Sequence, residues 1–409
     1  MTNLRDLLQA FAMAMNLISP EATCHHEKVA LLAWHLARQM ELTEHERELA
    51  FYGGLLHDIG GVITGTTLTL QDIESNARAF AHEGAALLRM YPLTRPYADV
   101  VLNSQMPWAA MPKENTMARV SQIVHLADVI TLIVSESEPV LNQLKGACDL
   151  LHALCGTEFS PEVVAAFDAL RGNESVWLDA FYHPEVFVEA VPDRRSVGIA
   201  ELREMTAFMA KLIDFRSPFT AMHSAGVAVS AVCLARKAGM SEDECALMEI
   251  AGNLHDIGKL KIPKAILEKP GKLTADEFNV MKEHVYYSYR ILNRVRGLET
   301  VTKCAAFHHE KLDGSGYPFH LLAGRLPLGS RIMAVSDVFA ATAENRPYRK
   351  PMRKEKVVGI LRQEALCGRL SEEVVELLVQ SYDEIDRRRE LASVAASETY
   401  RKSLNALKN

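Results

Sequence analysis

The chain repeats itself, and that repetition restricts its fold more than any other feature. His25-x-x-x-Val29 returns as His223-x-x-x-Val227, and Leu56-His57-Asp58-Ile59-Gly60 returns as Leu254-His255-Asp256-Ile257-Gly258, both at an offset of 198 (223 against 25, 255 against 57). Ile123–Asp128 (IVHLAD) returns as Ile332–Asp337 (IMAVSD) at an offset of 209 (337 against 128). Cys155-Gly156, followed by Val163-Val164, returns as Cys367-Gly368, followed by Val374-Val375, at an offset of 212 (367 against 155). Four segments in one order, with a slowly growing offset, mean two copies of one fold with small insertions. A length of 409 residues also asks for two cores. The break falls around His183 to Val197, where Pro184, Pro192, Asp193, Arg194 and Arg195 gather. The expected division is a first domain over 1–185, a linker over 186–198 and a second domain over 199–409.

Each copy reads as helical. Leu4, Leu8, Phe11 and Met15 recur at three to four residues, as do Val29, Leu32 and Leu36. Alternating strand-like runs closed by Asn-Gly or Asp-Gly turns are nearly absent, so short helices with Pro and Gly punctuation predict an all-α bundle. With 48% hydrophobic and 24% charged residues, the composition is that of an ordinary globular chain. The net charge of −7 argues against nonspecific binding to a nucleic-acid polymer, so an anionic ligand must be held by local cations or metal. Seven cysteines without a CxxC pair read as buried, reduced thiols. The apolar stretch Leu7–Ile18 is broken by Gln9 and Asn16 and lacks the features of a signal peptide. No run is long enough to span a bilayer. The expected setting is the cytoplasm, away from membranes.

The second copy carries the richer chemistry. It offers His223, the His255-Asp256 pair, His284, the His308-His309 pair and Asp337, in a chain with 15 histidines in all. Neutral imidazole beside carboxylate suits divalent transition metals. Two ions would use such a set naturally, with carboxylate and water bridging and imidazoles capping each ion. Paired ions of this kind sit roughly 3.5–4 Å apart and make a nucleophilic hydroxide at neutral pH.

The segments HDIGK, HHEKLDGSGYP and RIMAVSDVFAATAENRPYR resemble the HD-GYP subgroup of HD-domain phosphohydrolases over roughly Ile199 to Tyr382. The resemblance implies two tandem HD-type helical bundles, the second of HD-GYP type, acting as a metal-dependent phosphodiesterase on bacterial cyclic dinucleotides. It implies two divalent ions, iron or manganese, and no organic cofactor. By resemblance the metal ligands are His223, His255, Asp256, His284, His308, His309 and Asp337, with Asp256 bridging. Lys259 would steady charge on the scissile phosphate. Gly314, Gly316, Tyr317 and Pro318 would form the signature loop, and Tyr317, Arg346 and Arg349 would meet the substrate. A bridging hydroxide would attack phosphorus in line and leave a linear dinucleotide with a 5′-phosphate.

Two departures from the family pattern matter. Phe219 stands where some members carry a third-metal Glu, so two ions are expected. Ala340 stands where many members carry an Asp that can accept the N1–H and N2–H donors of guanine. Its loss is expected to relax guanine preference at one base and favour 3′3′-cyclic GMP-AMP over cyclic di-GMP. Cyclic di-GMP phosphodiesterase is the alternative, and a non-catalytic cyclic dinucleotide sensor is another. A homodimer stays open.

The first copy is reduced. His25, His57, Asp58 and Asp128 survive as a candidate single-metal set. Gly61 takes the place of Lys259, the His pair is missing around Asn103-Ser104-Gln105, and His82 is a candidate match for His284 with different local spacing. The domain is expected to regulate or pack against its neighbour, with 5′-nucleotidase trimming of the linear product as an alternative.

Overall fold

The computed structural model describes residues 2–18, 24–64, 70–112, 117–187, 191–192, 195–216, 218–344 and 350–408. Among these residues there are twenty α-helices and one two-stranded sheet. The helices form two compact units, one from Leu4 to Arg195 apart from 62–66, the other from Ser196 onward together with Thr2, Asn3 and the described residues 62–64.

The N-terminal unit runs through α1 (Leu4–Asn16), α2 (His25–Gln39), α3 (Glu44–Leu56), α4 (Leu70–Arg89), α5 (Ala98–Asn103), α6 (Ala118–Ile133), α7 (Val140–Ala153), α8 (Pro161–Arg171), α9 (Glu174–Tyr182) and α10 (Pro184–Phe187). The C-terminal unit runs through α11 (Ile199–Arg216), α12 (Pro218–Lys237), α13 (Glu242–Leu254), α14 (Lys264–Leu267), α15 (Ala275–Leu292), α16 (Glu299–Ala306), α17 (Leu328–Ala343), α18 (Lys354–Leu366), α19 (Glu372–Gln380) and α20 (Tyr382–Lys408). Strand β1 (Thr2–Asn3) pairs antiparallel with β2 (Ser196–Val197), Thr2 lying opposite Val197. The all-α, tandem reading therefore holds. Short helices do not describe all of it, since α20 spans 27 residues.

The same local devices build both copies. Thr43 caps α3 and Ser241 caps α13, each in a reciprocal box with a Glu three residues on (Glu46, Glu244). Such a box satisfies two backbone donors that a helix start leaves without partners. Both helices run for 13 residues, and a His is the C-terminal cap of each. One turn before that cap, a glycine lets the preceding helix approach. A Cβ on Gly54 would lie 2.7 Å from Ala30 Cα on α2, and one on Gly252 would lie 2.5 Å from Ala228 Cα on α12. That contact sets His25 beside His57 and His223 beside His255. Gly156 and Gly368, with φ of +81° and +71°, follow the ends of α7 and α18 in the left-handed region that glycine tolerates.

Around these contacts the apolar stripes close. Val29, Leu32 and Leu36 are fully buried, as are Val227, Ala231 and Leu234 of the second copy. Of the cysteines, Cys148, Cys233, Cys245 and Cys304 are buried; Cys24 and Cys155 are half-buried and Cys367 is exposed, which corrects the expectation that all seven are core thiols. No described helix is long and apolar enough to cross a membrane.

Candidate metal centres

The C-terminal site is assembled from five elements. His223 comes from α12, His255 and Asp256 from the end of α13, His284 from α15, His308 and His309 from the turn after α16, and Asp337 from α17. Six of these seven side chains are buried, Asp337 the most open of them at 11% side-chain exposure; the His309 side chain keeps 26%.

Asp256 stands between two groups of imidazoles. Its Oδ2 is 3.1 Å from His255 Nε2 and 4.0 Å from His223 Nε2. Its Oδ1 is 3.4 Å from His284 Nε2 and 4.0 Å from His308 Nε2. Asp337 likewise spans both groups, with Oδ1 at 3.0 Å from His223 Nε2 and Oδ2 at 3.9 Å from His309 Nδ1. His223, His255 and Asp256 form one cluster of ligating atoms, and His284, His308 and His309 form a second, each within 4.8 Å.

Backbone carbonyls aim three of these rings. Nδ1 of His255 donates to Gly252 O at 2.7 Å, Nδ1 of His284 to Met281 O and Nδ1 of His308 to Ala305 O at 2.6 Å. A donating Nδ1 leaves Nε2 as the lone pair that faces the centre. Those Nε2 atoms of His255, His284 and His308 are buried without a hydrogen bond, and so is Asp256 Oδ1. Unpaired buried acceptors converging from separate helices are costly unless something electrophilic fills the space between them. Divalent cations fit this donor set. Burial pushes His284 down to about 4 and His308 down to about 3, keeping both rings neutral at pH 7 as a ligand must be. Burial opposes charge on the Asp256 carboxyl, yet the neighbouring His255 ring and the Lys259 ammonium outweigh it and hold the group well below its usual range.

Three further features surround the centre. Lys259 Nζ lies 2.5 Å from Asp256 Oδ2 and its side chain keeps 18% exposure. Tyr317 stacks on His309, with ring centroids 4.9 Å apart. In the loop before it, Gly314 has φ of +81°, whereas Gly316 is needed for space: a Cβ there would lie 2.3 Å from Lys311 N. Two side chains not singled out in the sequence hold the framework. Buried Glu310 accepts from the backbone N–H of Phe319 and of Leu321, both at 2.8 Å, pinning the loop. Glu344 Oε1 accepts from His223 Nδ1 at 2.9 Å. The carboxylate beside the His pair was visible as the third letter of HHE, but no periodicity pointed to Glu344.

Arg346 and Arg349 lie outside the described residues, as does the side chain of Phe219. Ala340 is fully buried on α17.

In the N-terminal unit His25, His57, Asp58 and Asp128 also converge. His25 Nε2 is 3.2 Å from His57 Nε2 and from Asp128 Oδ1, and His57 Nε2 is 3.1 Å from Asp58 Oδ2. His57 Nδ1 donates to Gly54 O at 2.8 Å, as its counterpart does. Among the described residues of that unit, the second cluster has no equivalent. A Cβ on Gly258 would lie 2.0 Å from His284 O, and one on Gly60 would lie 2.1 Å from Phe80 O. The residue matching His284 is therefore Phe80, and His82, which is exposed, is not its partner. Ser104 Oγ donates to Val101 O three residues back, as His308 Nδ1 does to Ala305 O. Gln105 Nε2 donates to Asp128 Oδ2 at 2.8 Å, in the place of His309 against Asp337.

The comparisons with known proteins agree with this duplication. The family described as HD domain matches residues 23–133, and a second HD-domain family matches 207–374. A Vibrio cholerae protein named 3′3′-cGAMP-specific phosphodiesterase 1 is 31% identical over 398 residues, covering 93% of this chain and 92% of the relative. A Thermotoga maritima cyclic di-GMP phosphodiesterase is 38% identical over 187 residues, 45% of this chain and 50% of the relative. A crystal structure of a cyclic GMP-AMP-specific phosphodiesterase of V. cholerae shares the fold with a TM-score of 0.68 at 24% identity, over 94% of this chain and 98% of that one.

Proposed function

The chain belongs to the family of HD-domain phosphodiesterases, with two HD domains in tandem, and from that premise we propose that its C-terminal unit opens a bacterial cyclic dinucleotide, 3′3′-cyclic GMP-AMP in preference to cyclic di-GMP. The observation that carries this reading is Asp256, one carboxylate flanked by two imidazole clusters. The substrate choice is supported by the near full-length relative named for that ring.

In this reading His223, His255, Asp256 and Asp337 would hold one ion and His284, His308 and His309, with Asp256, would hold the other; iron or manganese would suit the mixed imidazole and carboxylate donors. When bound, the ions supply Lewis acidity to the phosphate and acidify the attacking water. The protein's own groups do the rest. The backbone-fixed imidazoles keep their lone pairs inward. Lys259, held beside Asp256, places its positive charge where negative charge builds on the phosphate as the 3′ oxygen leaves. Tyr317, stacked on half-open His309, offers a ring face at the mouth of the site. The product is a linear dinucleotide bearing a 5′-phosphate. Residues 199–409 form the catalytic part in this division, and 1–185 form a regulatory or packing partner across the 186–198 connection.

The test is incubation of purified protein with Mn2+ or Fe2+ and separate cyclic dinucleotides, followed by chromatography of the linear product. Faster opening of the mixed adenine–guanine ring is expected. Strong preference for the all-guanine ring would overturn the substrate choice, and no cleavage with either metal would overturn the activity.

A further inference from the structure

Resting on the two-ion reading above, we infer that Glu344 is the positioning residue for His223, and that it takes over a task which the opposite copy gives to Thr131. His223 is set apart from three of the other imidazoles of its site. His255, His284 and His308 are each aimed by a backbone carbonyl three residues earlier. His223 is aimed by a side chain, Glu344 Oε1, at 2.9 Å from its Nδ1. The matching imidazole of the N-terminal unit, His25, is also aimed by a side chain. Its Nδ1 lies 3.2 Å from Thr131 Oγ1, and that hydroxyl donates to Asp128 O at 2.7 Å, so it accepts from the ring.

The acceptors come from different positions on matching helices. Thr131 stands three residues after Asp128, and three residues after Asp337 stands Ala340. The internal repeat thus places Ala340 in the slot from which Thr131 reaches its histidine. Alanine has no acceptor, and its buried position leaves no room for solvent to provide one. Glu344 follows one helical turn later, at the C-terminal cap of α17, where residues four apart share a face. Its longer side chain spans the extra turn and puts a carboxylate oxygen on the ring nitrogen. A carboxylate there does two things. It fixes the tautomer with Nε2 toward Asp337, and it makes that Nε2 a stronger donor than a hydroxyl would. The polar group missing at Ala340 is thus supplied to the metal ligand, which gives position 340 a role in ligand aim.

The experiment titrates Mn2+ into metal-free wild-type protein and into Glu344→Gln, Glu344→Ala and the double variant Ala340→Thr/Glu344→Ala, counting bound ions by electron paramagnetic resonance. Wild type is expected to bind two ions. Glu344→Ala is expected to weaken one of them about 10–100-fold, the range for losing an outer partner of a metal-bound histidine, and to leave the other within about twofold. Glu344→Gln, which keeps the shape and an acceptor oxygen but not the charge, is expected to fall between. The added threonine is expected to restore part of the loss, an outcome that a packing role for Glu344 would not produce. Unchanged affinity for both ions in Glu344→Ala, or in Glu344→Gln should the alanine variant fail to fold, overturns the inference while leaving the phosphodiesterase reading intact. A wild type that binds no Mn2+ overturns that reading itself.

Discussion

The two units use one scaffold and differ in what it presents. Both start the key helix with a capping box, end it on a histidine, and press it against its neighbour through a glycine. Both gather two histidines and two aspartates. The difference lies in three side chains and a lysine: Phe80, Ser104, Gln105 and Gly61 occupy the places of His284, His308, His309 and Lys259. Phe80 offers no lone pair, and the Gln105 amide satisfies Asp128 where an imidazole would stand beside Asp337. The lesson is that backbone packing preserves the first cluster in both units, because capping and close helix contact position it. The second cluster rests on side-chain identity alone and can be lost without disturbing the fold.

The largest effect comes from converting one unit into the other. His284→Phe, His308→Ser and His309→Gln together are expected to leave a folded unit that holds one ion and has lost cyclic dinucleotide cleavage by about 10³-fold or more, since an ion supplies several kcal/mol of transition-state stabilisation. Metal counting and product chromatography read both changes. The matching lesion in the other unit, His57→Ala with Asp58→Ala, is expected to alter that cleavage by no more than about twofold. An equal loss from both lesions would break the comparison.

A smaller effect is expected at Lys259. Its replacement by the Gly of the N-terminal unit should lower kcat by about 10²–10³-fold, the cost of one donor aimed at developing charge. The number of bound ions should not change. If KM rises and kcat holds, Lys259 serves ground-state binding instead.

The smallest expected effect tests the shared scaffold. Thr43→Ala and Ser241→Ala each remove the cap of the helix that carries the His-Asp pair, and each should lower the stability of its own unit by about 1 kcal/mol in denaturant unfolding. Equal costs would show that the two frames are energetically alike; a cost at one position only would mean that the devices match in geometry but not in weight.

Much of this was legible in the sequence. The offset of 198 identified the first cluster in both copies, because helix spacing between His25 and Asp58 is unchanged between His223 and Asp256. The offset then changes to 204 (284 against 80) within the region of α4 and α15, so the nearby His82 matches His284 in residue type but not in register. The backbone contact of Gly60 with Phe80 settles the register instead. Ala340 and Glu344 make a related case. A missing carboxylate in a motif is legible as a letter, but only the packed helix shows that position 340 is buried and that Glu344 reaches His223 from one turn further on.

The sequence by itself determined the duplication, the all-α class and the ligand types, because these depend on residue identity and on local period. Tertiary structure alone decided which oxygen of Asp256 faces which imidazoles, which residue of the N-terminal unit matches His284, and what holds His223. Those contacts join residues as far apart as His223 and Glu344, 121 positions along the chain. No local pattern encodes such a distance, since it is set by how the helices pack.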